Sequence, residues 1–172
     1  MVQAFKCSGF AACMCLLHCC SHVTFSALGY TYSGGEVEKQ DKFLKRMSGL
    51  MHLYAAIVTS PAPQGAGVPH PHGLQHAWLW LARVINYEPR PDITATLIYD
   101  LLQVAGRSLL QAYGQQFVKL VQLLITDYLP KIRAAGGAGG PVARLEAFLS
   151  KILQKSNIDP PKGILPPNFF HT

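Results

Sequence analysis

Apolar residues recur at helical spacing through most of the chain that follows Gly35. In the segment 36–60 they step by one, three or four residues, which places them on one face of a helix. The same period predicts a second helix over 72–87. The expected apolar face of the first helix comprises Phe43, Met47, Leu50, Met51, Tyr54, Ala55 and Val58. That of the second comprises Leu74, Trp78, Leu81, Ala82 and Ile85.

A third helix is predicted over 93–113, after a proline-containing connection. Asp92 precedes it and suits the N-cap position, because a short carboxylate accepts hydrogen bonds from the first free backbone amides of a helix. The β-branched start of this segment is compatible with a strand, but helical spacing persists through its whole length, which favours a helix. Its expected stripe is Ile93, Leu97, Leu101, Val104 and Ala105.

Two further helices complete the pattern. A fourth is predicted over 115–132, where Pro130 is expected to kink or end the helix. A fifth is predicted over 142–154, after a glycine-rich connector. The expected apolar face of the fourth helix comprises Phe117, Leu120, Val121, Leu124 and Tyr128. That of the fifth helix comprises Leu145, Phe148, Leu149 and Ile152. These segments predict an all-α fold, an array of antiparallel helical pairs.

The proline-rich tail 159–172 is expected to be extended, with Phe169 and Phe170 packed back on the helices. Of 172 residues, 49% are hydrophobic and 14% are charged, against about 25% charged in an average protein. The chain must therefore bury a sizeable core, and its length suits one domain or part of a larger one. No charge-free apolar run reaches the roughly 18 residues of a membrane span, so none is predicted.

All five cysteines precede Ser21, so a disulfide framework for the helical body is excluded. They are Cys7, Cys13, Cys15, Cys19 and Cys20. A zinc site formed by Cys15, His18, Cys19 and His22 is an alternative. Structural zinc sites usually combine two separated ligand pairs, however, and these four residues crowd into one short stretch without a second pair. We predict no metal site.

Residues 1–28 give two possible interpretations. Lys6 followed by the apolar stretch 10–17 loosely resembles a secretory signal. His18 and His22 interrupt the apolar character, so we predict instead a poorly ordered segment that does not pack on the helical body.

The sequence contains no pattern typical of catalysis. Its nine carboxylates form no paired motif, and neither a phosphate-binding glycine loop nor a nucleophile elbow is present. His70, His72 and His76 cluster where a loop meets the second helix, but no acidic or cysteine ligand accompanies them. Capping or packing is the favoured role for these histidines. We predict that the protein is not an enzyme.

Cations exceed anions, with 15 Lys and Arg against 9 Asp and Glu and a formal charge of +6. The densest cluster, Lys39, Lys42, Lys45 and Arg46, allows two interpretations. One is an ordinary solvated flank of the first helix. The other is a polyanion site, in which several cations converge on phosphates and the arginine makes bidentate contacts. An RNA-binding surface would add exposed aromatic residues, whereas the aromatic residues here follow the apolar stripes.

Several segments occur in an order that resembles one known family. They read VEKQDKFLKRMSGLMHLYAAI, HPHGLQHAWLWLARVIN, PDITATLIYDLLQVAGRSLLQAYGQQFVKLVQLL, DYLPKI and PKGILPPNFF. Together they resemble the C-terminal domain of the nuclear-pore mRNA-export mediator of the GLE-one nucleoporin family. The resemblance covers residues 29–172 and leaves 1–28 unmatched. It implies a HEAT-repeat-like stack of antiparallel helical pairs, of which this chain holds the C-terminal half.

The resemblance also implies a function. Domains of this family bind inositol hexakisphosphate and dock on a DEAD-box RNA helicase at the cytoplasmic face of the nuclear pore. The inositol phosphate bridges the two proteins, and docking stimulates the helicase without catalysis by the activator. Further implied partners are nucleoporins and translation initiation and termination factors, with locations in the nucleus and cytoplasm and no sequence-specific nucleic-acid binding. The alternatives are a generic helical adaptor that binds no inositol phosphate and a basic RNA-binding module.

One motif of the family identifies the residues of the implied inositol-phosphate site in this sequence. The arginine of the family's R-M-x-G element corresponds to Arg46 in KRMSG, and Lys45, Lys42 and Lys39 are included as its neighbours. The family's earlier helices and its basic H-K-x-C-P-[YF]-x-V-P-like element have no counterpart here. We therefore expect a partial copy of the domain, with weaker binding of the inositol phosphate than the whole domain would show.

Overall fold

The protein is described by a computed structural model that covers residues 30–61, 71–90, 92–137, 139–155 and 158–161. The predictions for residues 1–28, for His70 and for Phe169 and Phe170 lie outside these ranges. Within them the fold is all-helical apart from one short hairpin. None of the helices in these ranges is long and apolar enough to span a membrane.

The first described element is a hairpin that the apolar pattern did not predict. Strand β1 (Tyr32–Ser33) pairs antiparallel with β2 (Glu36–Val37). The turn between them holds Gly34 and Gly35 at φ values of 61° and 87°. Glycine adopts this left-handed backbone without steric cost, and a two-residue glycine turn suits the twist of a hairpin. Helix formation is therefore delayed beyond the predicted start at residue 36.

Helix α1 (Gln40–Thr59) follows the hairpin and packs mainly on α3 (Ile93–Tyr113). Six of its seven predicted core residues are buried, and Leu50 is half-buried against the same core. Helical periodicity therefore predicted the inward face of α1 correctly.

Helix α2 (Gln75–Val84) turns a different face inward from the one predicted. Its buried residues are Ala77, Trp80, Leu81 and Val84. Trp78, predicted to be in the core, is half-buried and lies 4.5 Å from the ring of Tyr113. The prediction was wrong because Trp78, Leu79, Trp80 and Leu81 are consecutive apolar residues, so periodicity alone does not distinguish the faces of so short a helix.

Helix α3 is the centre of the fold and contacts α1, α2, α4 (Gln115–Leu123) and α6 (Gly140–Lys155). It is therefore buried on nearly all sides, including the polar residues Thr94, Thr96 and Asp100. Asp92 stands at its N-cap position but its side chain caps nothing. Its Oδ2 instead accepts a hydrogen bond from Gln40 Nε2 at 3.2 Å, and its own φ is 59°. The predicted capping role of this carboxylate was wrong.

Pro130 neither ends nor visibly breaks the fourth helix. Helix α4 passes through a π-helical turn (Leu124–Tyr128) into α5 (Leu129–Ala134), which contains the proline. Proline has no amide hydrogen and its ring crowds the carbonyl four residues earlier, and a widened turn accommodates both effects. All five predicted stripe residues of this helix are buried, and the Tyr128 hydroxyl donates to the Tyr87 carbonyl at 3.3 Å.

If α4, the π-turn and α5 are counted as one continuous helix, the described residues contain five helices, as predicted. The last, α6, buries Val142, Leu145, Leu149 and Ile152 against the rest of the core, with Phe148 half-buried. Ile158 follows it and is also buried. The all-α prediction is confirmed for the described residues.

Candidate functional site

The four predicted phosphate-binding cations lie at the start of α1, but they are divided between two sides of the helix. Lys39, Lys42 and Lys45 are exposed, whereas Arg46 is half-buried. Arg46 faces the segment that joins the hairpin to α1, where Glu38 lies. Lys45 instead lines a cleft between α1, α3 and α6.

Arg46 is held by an ion pair with Glu38. Its Nη2 donates to Glu38 Oε2 at 2.6 Å, and its Nε lies 3.4 Å from Oε1. Glu38 Oε2 also accepts hydrogen bonds from the backbone amide and hydroxyl of Thr31 at 3.2 and 3.0 Å. The hydrogen bond from Arg46 is the main reason why the pKa of Glu38 falls to about 2.

Aromatic rings support the same contact. The Arg46 guanidinium carbon lies 5.6 Å from the centroid of the Phe43 ring, and Tyr30 stacks on that ring at 3.8 Å. Arg46, Glu38, Phe43 and Tyr30 thus fasten the hairpin to the first turns of α1. The Arg46 side chain nevertheless keeps 36% of its exposure.

Sequence spacing does not predict the pairing of Glu38 with Arg46. Glu38 precedes the helix, and the two residues are eight positions apart, outside the three- and four-residue spacings that bring helical side chains together. The hairpin decides the contact because it turns the chain back over α1. By contrast, Lys39, Lys42 and Lys45 form no ion pair with any residue in the described ranges.

The cleft beside Lys45 has a volume of about 550 Å³ and is rich in carboxylates. We call it the acidic cleft. Its lining residues include Gln40, Asp41, Leu44, Lys45, Ser48, Asp92, Thr96, Asp100, Pro141 and Arg144. No sequence spacing indicates it, because Asp41 lies on α1, whereas Asp92 precedes α3 and Asp100 lies within that helix.

Asp100 is the innermost carboxylate of the acidic cleft, only 5% exposed. Burial is the main cause that raises its pKa, while the Ser48 hydroxyl and the nearby charges of His52 and Arg144 oppose the rise. Its Oδ2 and the Oδ1 of Asp92 are buried without a hydrogen-bond donor from the described chain. Two carboxylates of the acidic cleft therefore each have one oxygen without a donor from the described chain.

The described histidines have structural contacts. A ring nitrogen of His76 lies 3.1 Å from the Pro71 carbonyl, and the His72 and His76 rings are 5.9 Å apart. These contacts suit the packing role that the sequence favoured. Across the described ranges, no group of three or more histidine, cysteine, aspartate or glutamate residues is arranged to hold a metal ion.

The chain is similar to proteins of one family. A family model described as GLE1-like protein matches residues 21–125. The mRNA export factor GLE1 of Rattus norvegicus is 47% identical over 148 residues, which cover 84% of this chain and 21% of that protein. The mRNA export factor Gle1 of Drosophila melanogaster is 43% identical over 144 residues, or 83% of this chain and 21% of the relative. This chain thus spans about a fifth of the length of these relatives.

Two solved structures share the fold. One contains the Saccharomyces cerevisiae Dbp5 C-terminal domain bound to Gle1 and IP6; it is 24% identical, with a TM-score of 0.71 over 81% of this chain and 48% of that one. The other contains a Gle1 variant in the same kind of complex, with 25% identity and a TM-score of 0.73 over 86% of this chain and 52% of that one. Since the family model matches more than half of the sequence, the chain belongs to the GLE1 family of mRNA export factors.

Proposed function

We propose that this chain is an mRNA export factor that docks on a DEAD-box RNA helicase, with inositol hexakisphosphate bridging the two proteins. The observation that carries the proposal is the similarity to the yeast Gle1 variant in complex with Dbp5 and IP6, which extends over 86% of this chain. The chain's role is that of a non-catalytic activator: it binds one helicase conformation better than another and so shifts the equilibrium between them.

The charges at the start of α1 support a polyanion ligand. Lys39, Lys42 and Arg46 follow one another at spacings of three and four residues, so they share one flank of the helix. Phosphate oxygens accept charge-assisted hydrogen bonds from ammonium and guanidinium groups. We assign this flank to the inositol phosphate, with Lys45 at its border with the acidic cleft.

Arg46 has a double role in this proposal. It holds Glu38, and it contacts a phosphate through the exposed part of its side chain. A polyanion between two cationic surfaces also relieves their mutual repulsion, which explains why docking on the helicase would require the ligand.

The architecture is consistent with a docking module. We propose that residues 29–172 form a HEAT-like stack equivalent to the C-terminal half of the family domain, because such rigid helical pairs present a fixed surface to a partner. Nucleoporins, translation initiation factors and termination factors are further partners in this proposal. The corresponding locations are the cytoplasmic face of the nuclear pore, the nucleus and the cytoplasm.

Calorimetric titration of the chain with the C-terminal domain of a Dbp5-type helicase tests the proposal, with and without inositol hexakisphosphate. We expect heat of binding only when the inositol phosphate is present. The double variant Lys39→Ala, Lys42→Ala should weaken binding at least tenfold, while Lys119→Ala, which removes an exposed lysine of α4, should leave it unchanged.

Equal binding with and without the inositol phosphate would instead identify a plain protein adaptor. Equal losses in the double variant and in Lys119→Ala would show that overall charge, rather than this flank of α1, attracts the ligand.

A further inference from the structure

We propose that the acidic cleft binds an arginine side chain of a partner protein, and that Asp100 receives its guanidinium group. The cleft lies between α1, α3 and α6, beside the cationic flank assigned above but distinct from it. The proposal does not depend on inositol phosphate binding.

Asp100 is the residue that points to a ligand. It is 5% exposed, and no donor of the described chain reaches its Oδ2. A buried acceptor without a donor is unfavourable. A cationic donor from outside would therefore gain both a hydrogen bond and an attraction to the carboxylate that water competes with only weakly at this depth.

The cations already at the cleft do not occupy this acceptor. The Arg144 guanidinium carbon lies 5.8 Å from the Tyr99 ring centroid, and within the described ranges neither Arg144 nor Lys45 forms an ion pair with a carboxylate. His52 of α1 has ring-nitrogen contacts with the Ser48 carbonyl and Gln103. The cleft lining thus holds three carboxylates and two cations, and Asp100, which accepts a hydrogen bond from the Ser48 hydroxyl, forms no ion pair within the described ranges.

A guanidinium group fits this site better than a metal ion. The described residues offer no cluster of three metal ligands, so an ion would keep most of its water and could not reach a buried oxygen. Arginine carries its charge on a long apolar stem, and Leu44 and Pro141 line the cleft where such a stem would pack. Its planar donors can also serve an additional acceptor at the rim, for example the exposed carboxylate of Asp41.

The second unpaired acceptor indicates a peptide rather than a small molecule. Asp92 Oδ1 is buried without a donor, and Asp92 precedes Asp100 by eight residues, or about 12 Å along a helix axis. One guanidinium is too small to reach both oxygens. An extended peptide advances about 3.3 Å per residue, so a second donor about four residues away reaches the other acceptor.

Nuclear magnetic resonance titration of the full chain tests this proposal. The probe is a blocked peptide of five residues, with arginine first and serine last and glycines between them. Its control carries citrulline, which has the shape of arginine without its charge. We expect the arginine peptide to shift the amide signals of Gln40, Ser48 and Asp100 in a saturable manner, and the citrulline peptide to bind at least tenfold more weakly.

Variants identify the acceptor. Asp100→Asn keeps the size of the side chain and should weaken binding of the arginine peptide at least tenfold. Asp127→Asn, in the exposed part of the π-turn, should not change this binding. Asp41→Asn at the rim should cause a smaller, two- to threefold loss, and it reports on the cleft even if Asp100→Asn folds poorly. Equal binding of the two peptides, or equal effects of the Asp100 and Asp127 variants, would overturn the proposal.

Discussion

Arg46 shows how one contact changes the meaning of a functional residue. From sequence it was expected to be a cation that reaches towards phosphates, whereas the structure places it against Glu38 at 2.6 Å. An arginine that already has a carboxylate partner shares its charge between that partner and any phosphate it binds. Its replacement therefore affects both stability and ligand binding, and the two effects must be measured separately.

Arg46→Ala and Glu38→Gln should lower the free energy of unfolding to a similar extent, because both break the same ion pair. Only Arg46→Ala should weaken inositol hexakisphosphate binding, by about 1.5–3 kcal/mol for a charge-assisted hydrogen bond. Arg46→Lys should recover part of that binding, since an ammonium lacks the bidentate geometry. Urea unfolding and calorimetry at one salt concentration measure these effects. Identical ligand affinities in all variants would leave Arg46 as an anchor of the hairpin alone.

The contributions of Glu38 and Asp100 to stability should depend on pH in opposite directions. The pKa of Glu38 falls from 4.5 to about 2 on folding, so its contribution is complete above about pH 4.5 and is lost as the pH falls towards 2. The pKa of Asp100 is raised by burial, so its contribution is largest below its ordinary value of 3.8 and is lost as the pH rises through the raised pKa. The free energy of unfolding, measured across acidic pH, should therefore decrease less in Glu38→Gln than in the wild type as the pH falls.

Asp100→Asn should abolish the loss of stability that the wild type shows as the pH rises through the raised pKa of Asp100. The variant should therefore be no less stable than the wild type at neutral pH. A pH profile of Asp100→Asn that matches the wild type would show that the Asp100 carboxylate keeps its ordinary pKa in the folded protein.

At the scale of the elements, α2 shows the limit of periodicity. Apolar residues lie on several sides of this ten-residue helix, and its packing against α1 and α3 decides which side is inward. The structure selects Trp80, which is 2% exposed, rather than Trp78. Trp80, rather than Trp78, is therefore the tryptophan whose loss leaves a cavity in the core.

Trp80→Ala should destabilise the protein by about 3–5 kcal/mol, as expected when a large aromatic side chain leaves a cavity in the core. Trp78→Ala should cost clearly less, because its ring is half-buried and loses mainly its contact with Tyr113. Urea unfolding of both variants gives the comparison. If Trp78→Ala lowered the free energy of unfolding more than Trp80→Ala does, the inward face of α2 would be the one that sequence periodicity predicts.

At the scale of the whole molecule, ligand binding is linked to folding. A ligand that binds only the folded state stabilises it by RT ln(1 + [L]/Kd), about 2.7 kcal/mol at a hundredfold excess over Kd. We therefore expect inositol hexakisphosphate to raise the melting temperature of the chain, and sulfate at equal ionic strength to raise it less. No change in melting temperature would favour the adaptor alternative. An RNA-binding module would instead show RNA affinity that falls steeply with salt.

The sequence by itself determined the helices and most of their inward faces, because the spacing of apolar residues within one helix is a local property. It also identified the family, because each of the motifs that carry the resemblance is a contiguous segment of the chain. It did not show the hairpin as an element, although Gly34 and Gly35 are a signal for it in retrospect.

Tertiary structure alone decided the site. The Arg46–Glu38 pair and the burial of Asp100 both depend on residues from different parts of the chain. No local spacing encodes such contacts, because they depend on how the hairpin, α3 and α6 pack around α1. Asp92 illustrates the same point: its position before α3 suited a cap, but Gln40 of α1 lies close enough to bind its carboxylate instead.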